Sequence, residues 1–140
     1  MILEEGVENV WARHVRVATM VRTGVEAAGL RLFAAEPYRS NTVTPIWNPA
    51  GTPEKLAELL TLLRTKYRLV LASGQGDLKG KIFRIGHLGS IDVDDVYVIL
   101  ATLEQAMYQL GLLSRVGLMV AAAQVAAREV APPATPAGVR

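Results

Sequence analysis

Cysteine is absent from this 140-residue chain. That excludes disulfides, thiolate metal sites and a cysteine nucleophile, and it permits a cytosolic home. Charge of one sign is also lacking, because 15 Lys and Arg against 13 Asp and Glu leave a net charge of +2 with the signs interspersed. With no basic face and no aromatics in series, nucleic-acid recognition is not expected. No apolar run approaches the roughly 18 residues of a membrane span; Gly117 to Ala127 comes nearest and contains Gln124. The opening Met1-Ile-Leu-Glu-Glu-Gly6 carries acids where a secretory signal carries bases. The expectation is a soluble, cytoplasmic chain without a membrane partner. What is present is apolar bulk, 51% of residues, enough for one core but not for two domains.

Periodicity predicts a long amphipathic helix over 3–28, with Leu3, Val7, Val10, Trp11, His14, Val17, Ala18, Val21, Val25 and Ala28 on one stripe. His14 reads as a core histidine with one satisfied nitrogen. Leu30-Arg-Leu-Phe33 and Thr42-Val-Thr-Pro-Ile46 read as strands around a turn, and Pro45 confines the second to an edge or ends it early. Arg39 reads as a solvated loop arginine, the alternative being one that faces a ligand. Thr52 caps a helix that has Pro53 at its first position and ends near residue 66; Leu69-Val-Leu-Ala72 follows as a short buried strand. Asp92 opens another helix as its N-cap, with Asp94 and Asp95 in the first turn, so these acids have a structural role rather than an acid–base or metal one. A last helix, about Val116 to Val130, is small and apolar on most sides, leaving part of its face for a neighbour outside the chain. Residues 131–140, with three prolines and no periodicity, read as a disordered tail. Strand and helix alternate, which gives a small sheet covered by helices.

One stretch stands out, Gly80-Lys-Ile-Phe-Arg-Ile-Gly-His-Leu-Gly89. Ile82, Phe83 and Ile85 make a short apolar strand bounded by glycines, and Arg84 is the single charge within it. A guanidinium is a fixed fork of donors suited to a carboxylate or phosphate, so Arg84 is a candidate anion receptor; the alternative is an arginine lying in solvent. Upstream, the glycines at 74, 76 and 80 give G-x-G-x-x-x-G. That is one residue too long for a dinucleotide fingerprint, and a strand follows where a helix N-terminus would be needed.

The segment 74–89 resembles the region near the C-terminus of class V aminotransferases, the pyridoxal-phosphate enzymes that include alanine–glyoxylate and serine–glyoxylate aminotransferases. Gly6-Val-Glu-Asn-Val-Trp-Ala-Arg-His14 resembles the first helix of their small domain. Tyr38-Arg-Ser-Asn-Thr-Val-Thr44 is similar to the family's Arg-x-Pro-Thr-Val-Thr, with Asn41 where proline is usual. The resemblance implies an α+β fold, a small, mainly antiparallel sheet packed on one side by helices, as in the small domain of fold-type I pyridoxal-phosphate enzymes. It implies that 1–130 are the C-terminal domain, beginning inside its first helix. Arg84 would hold the substrate's α-carboxylate, with Gln75 and Gly76 on the wall beside it.

The parent enzyme implied by the resemblance is a cytoplasmic homodimer that moves an amino group from alanine or serine to glyoxylate or a similar small oxo acid. Its cofactor, pyridoxal phosphate, acts as the electron sink. The Schiff-base lysine, the acid facing the pyridinium nitrogen and the phosphate cup belong to a large domain, supplied in cis or in trans. Lys55, Lys66, Lys79 and Lys81 match none of those positions, so the chain alone is expected to be inactive and to contain no catalytic, cofactor-binding or metal-binding residue. The alternative is a non-catalytic module that keeps the fold and uses Arg84 for another small carboxylate or a protein partner.

Overall fold

The computed structural model describes residues 2–130, so the tail expected over 131–140 lies outside the described residues. The helix expected over 3–28 is two helices, α1 (Ile2–Glu5) and α2 (Val7–Ala27). They part at Gly6, whose φ of +85° leaves the helical region, a conformation that glycine adopts without a Cβ clash. The remaining elements are β1 (Val43–Trp47), α3 (Pro53–Lys66), β2 (Ala72–Ser73), β3 (Ile82–Gly86), α4 (Val93–Gln109) and α5 (Leu118–Glu129), with one 3-10 turn at Gly76–Leu78.

The sheet has the order β1-β3-β2 and is antiparallel throughout, with β3 at its centre. Register sets Ile46 against Phe83 and Thr44 against Ile85, all four buried towards the helices. Because successive side chains alternate faces, Val43, Pro45, Trp47, Ala72 and Arg84 share the opposite face. The architecture is the α+β arrangement expected, a small antiparallel sheet packed on one side by helices.

Three local expectations need correction. Leu30–Phe33 makes only a bridge, Leu32 to Ile46, although Phe33 N donates to Pro45 O at 3.0 Å and Trp47 N to Arg31 O at 2.9 Å. Pro45 has no N–H to return on that side, which breaks the ladder after one exchange. The strand expected at 69–72 is paired only at Ala72–Ser73, and Val70 is 74% exposed. Arg68 there takes a left-handed φ of +58° and Leu69 N donates back to Leu63 O at 3.0 Å, so these residues close the end of α3 instead of extending the sheet. The apolar stripe of α2 is buried only from Val17 onward; Trp11 is 66% exposed.

The core is one cluster that draws Met20, Val21 and Val25 from α2, Ile46 from β1, Leu56, Leu59 and Leu63 from α3, Phe83 and Ile85 from β3, Leu100, Leu103 and Met107 from α4, and Met119 and Ala123 from α5. A large side chain of this kind contributes about 1.5–3 kcal/mol on burial. The small residues of α5 allow a close approach to α2. A Cβ on Gly24 would stand 2.9 Å from Met119 O and 2.7 Å from Leu100 Cδ1. The apolar face of α5 is therefore largely taken within the chain, with Met119, Ala123, Ala126 and Ala127 all buried.

The helix starts follow the expected chemistry. Thr52 Oγ1 accepts from Lys55 N at 3.3 Å, with Pro53 in the first turn of α3. Val93 N donates to Asp92 Oδ1 at 2.7 Å and Asp92 N to Asp95 Oδ2 at 2.9 Å, a capping box at the start of α4. His14 Nδ1 donates to Val10 O at 2.7 Å, which satisfies one ring nitrogen as expected, but the residue is half-buried rather than in the core.

Candidate functional site

Arg84 is in the middle of the central strand, between Pro45 of β1 and Ala72 of β2, on the face turned away from the core. It is half-buried. Its Nε and Nη2 both donate to the carbonyl of Ser73, at 3.2 and 3.1 Å. No carboxylate lies within ion-pair reach of it among the described residues. An arginine fixed in place yet lacking a counter-ion is equipped to receive an anion from outside the domain.

The glycine loop places the other two candidates less directly. Gln75 and Gly76 are exposed, and their carbonyls accept from Leu78 N at 3.0 Å and Lys79 N at 3.1 Å. No hydrogen bond joins either residue to Arg84; the link runs through Ser73, which the sequence reading did not single out. Backbone carbonyls leave no mark in side-chain identity, so no sequence signal marked that contact.

The turn after β3 is held from α2. Arg13 Nε and Nη2 donate to the two oxygens of Glu5 at 2.7 and 2.9 Å, and Nη1 donates to Gly89 O at 2.8 Å and Ile91 O at 2.9 Å. The Arg13 hydrogen bonds hold the Glu5 carboxyl below its ordinary pKa. His87 is fully buried beside this turn and shares a 2.8 Å hydrogen bond between Nε2 and Thr44 Oγ1, while its Nδ1 has no partner. Burial, with Arg22 nearby as a second cause, lowers its pKa to about 4. The imidazole is thus neutral near pH 7 and ties β3 to β1.

Arg39 is not a freely solvated loop arginine: its side chain is half-buried and held within the chain. Its Nη1 donates to Glu36 Oε1 at 2.9 Å and its Nε to Ala34 O at 3.2 Å, which fastens the loop before β1. With Arg22 it borders a cavity of about 10 Å³, room for a single water.

Pyridoxal phosphate would need an enclosed lysine amine and a cradle for its phosphate. Lys55, Lys66, Lys79 and Lys81 are all exposed, and Lys66 Nζ is engaged with Gln109 Oε1 at 2.6 Å. The residues present do not fit that group.

A fold of this kind, with one arginine at the centre of a small antiparallel sheet and helices on one face only, is that of the small domain of aminotransferases. No family model matches the chain. An aminotransferase of Methanocaldococcus jannaschii is 45% identical over 111 residues, which is 79% of this chain and 28% of that protein. L-aspartate–glyoxylate aminotransferase of Paracoccus denitrificans is 43% identical over 124 residues, 88% of this chain and 31% of that protein. The crystal structure of pyridoxamine–pyruvate aminotransferase from Mesorhizobium loti superposes with a TM-score of 0.83 at 36% identity, covering 92% of this chain and 33% of that one. The chain belongs to the class V aminotransferases as a C-terminal segment, and it spans about a third of the length of the relatives it matches.

Proposed function

We propose that residues 1–130 form one domain, the substrate-carboxylate-anchoring C-terminal domain of a pyridoxal-phosphate-dependent aminotransferase. One observation carries this reading: Arg84 is half-buried on the central strand, on the face opposite the core, without a carboxylate partner among the described residues. In this role Arg84 holds the carboxylate of the amino-acid or oxo-acid substrate, and Gln75 and Gly76 form the wall beside it. The reaction moves an amino group from alanine or serine to glyoxylate or a similar small oxo acid. The oxo acids in the relatives' names, glyoxylate and pyruvate, support that substrate class.

The catalytic lysine and the cofactor site come from the rest of the protein, in cis or in trans. The assembled enzyme is a cytoplasmic homodimer, and the 140-residue chain is inactive by itself.

Arg84→Ala in the assembled enzyme tests the anchoring role. Losing a desolvated charge-assisted pair costs about 2–5 kcal/mol, so KM for amino and oxo acid rises by at least about thirtyfold while affinity for the cofactor stays as it was. Equal losses of substrate and cofactor binding would sink the role. For the chain alone, exposure to pyridoxal phosphate, borohydride reduction and intact mass should show no stoichiometric, site-specific lysine adduct. One labelled lysine that an amino acid discharges would move the chemistry into this chain. Supplying a large domain separates the enzyme reading from a binding module: restored transamination supports the first, and binding without turnover the second.

A further inference from the structure

We propose that the loop from Ser73 to Lys81 presets Arg84, with the Ser73 carbonyl holding one edge of the guanidinium so that only its end-on fork remains for a carboxylate. This rests on the reading of Arg84 as the substrate anchor and specifies how the anchor is aimed. A guanidinium can pair with a carboxylate through its side edge, Nε with Nη2, or through its end, Nη1 with Nη2. Here Ser73 O accepts from both atoms of the side edge. Nη1 has no hydrogen-bond partner among the described residues. The end-on fork is therefore the part on offer.

The carbonyl is held by more than β2. Gly74 N donates to Ile82 O at 2.9 Å, which fixes the register next to Ser73. Behind it, Leu78 N donates to Gln75 O, Lys79 N to Gly76 O and Lys81 N to Leu78 O, which winds the loop tightly. Gly74 is what permits the winding. A Cβ there would stand 2.1 Å from Leu78 O and 2.9 Å from Ile82 Cγ1. Gly76 differs, since a Cβ on it meets nothing within 4 Å and only its φ of +54° favours glycine. Gly74 is thus a positioning residue that acts through Ser73 on Arg84, because any side chain at 74 pushes the Leu78 carbonyl away and turns the Ser73 carbonyl off the guanidinium. A preset fork loses less side-chain freedom when a carboxylate arrives.

The test is NMR of the Arg84 Nε–H in the 140-residue chain, with sodium glyoxylate as the probe. In the unmodified chain the Arg84 Hε should exchange with water about tenfold or more slowly than that of exposed Arg115, because it is held in a hydrogen bond. Adding glyoxylate should shift the Nη resonances and leave the Nε contact in place. In Gly74→Ala the Hε protection should fall to the Arg115 level while amide dispersion elsewhere is kept. Val98→Ala, at an exposed position of α4 far from the loop in sequence, should retain the protection and serves as the control.

An Hε that exchanges as fast as that of Arg115 overturns the presetting. So does a glyoxylate titration that frees Nε from Ser73. A protected Hε with no response to glyoxylate at any Nη overturns the end-on fork as the part on offer, and the anchoring role itself is decided by Arg84→Ala in the assembled enzyme. If Gly74→Ala loses its dispersion, the exchange rate and titration of the unmodified chain still decide between these outcomes.

Discussion

At the scale of single residues, two buried polar side chains govern how the chain responds to mutation and to pH. Glu104 on α4 is only 2% exposed, yet no cation pairs with it among the described residues. Its carboxylate accepts from Gly117 N and Leu118 N, both at 2.7 Å, and from Met119 N at 3.0 Å. These are the unpaired donors at the start of α5, where the helix dipole also favours negative charge, so Glu104 caps a helix from another helix. Glu104→Ala strands those donors and should cost about 3 kcal/mol, read as a lower urea midpoint at unchanged m-value. Glu104→Gln keeps an acceptor and should lose about half as much.

His87 gives a pH dependence of defined sign. Burial and Arg22 take its pKa from 6.5 down to about 4 in the folded chain. Between those values the unfolded chain binds the proton and the folded chain does not. The stabilisation is therefore complete above about pH 6.5 and is lost as the pH falls towards about 4, by up to about 3 kcal/mol. Urea unfolding at about pH 7 and about pH 4.5 should show this loss in the unmodified chain and much less of it in His87→Asn. Equal pH slopes in the two proteins would remove His87 as the cause.

At the scale of elements, the contact between α2 and α5 sets the tolerance of the helices. Alanine is worth about 1 kcal/mol more than glycine in a helix interior, so Gly24→Ala would stabilise an isolated α2. In the packed molecule the added Cβ meets the backbone carbonyl of Met119 at 2.9 Å and the end of Leu100 at 2.7 Å. Crowding of this kind costs about 1–3 kcal/mol, so the net change should be destabilising. A higher melting temperature for Gly24→Ala would show that α5 yields easily.

The same comparison marks how far the sequence was legible. Helices α3 and α4 are readable because cap, first turn and periodicity agree at Thr52-Pro53 and at Asp92. The sheet is readable at β3 because three apolar residues lie between glycines. Legibility fails where tertiary geometry overrides pattern: Gly6 divides a stripe that looks continuous, and Arg68 closes α3 and delays β2. In the candidate site, Arg84 was visible as a charge within an apolar strand. The Ser73 carbonyl was not, since backbone direction is set by register and by the space that Gly74 leaves.

At the scale of the whole molecule, the question is whether a chain about a third as long as its relatives can stand as one cooperative unit. The core cluster is continuous from α2 through the sheet to α5 and takes residues from α3 and α4 as well, so among the described residues these helices share one core. The antiparallel sheet supplies only two strand pairs and is covered on one side, which leaves most of its stability to that shared cluster. Contacts shared this widely favour all-or-none unfolding in a domain of this size.

The two tryptophans make this testable, because they report from different places. Trp11 lies exposed on the N-terminal half of α2, whereas Trp47 is on β1 with Phe33 at a ring distance of 5.0 Å and the Arg31 guanidinium 4.9 Å from its ring. In Trp11→Phe, fluorescence follows Trp47 and hence the sheet, while far-UV circular dichroism follows mainly the helices. The two urea transitions should coincide, with one m-value of about 1–3 kcal/mol/M. If the sheet signal is lost at lower urea than the helical signal, β1 and β3 are not held by the shared core. Arg84 would then not be set by the chain alone, and the proposed domain 1–130 would not stand in its own right.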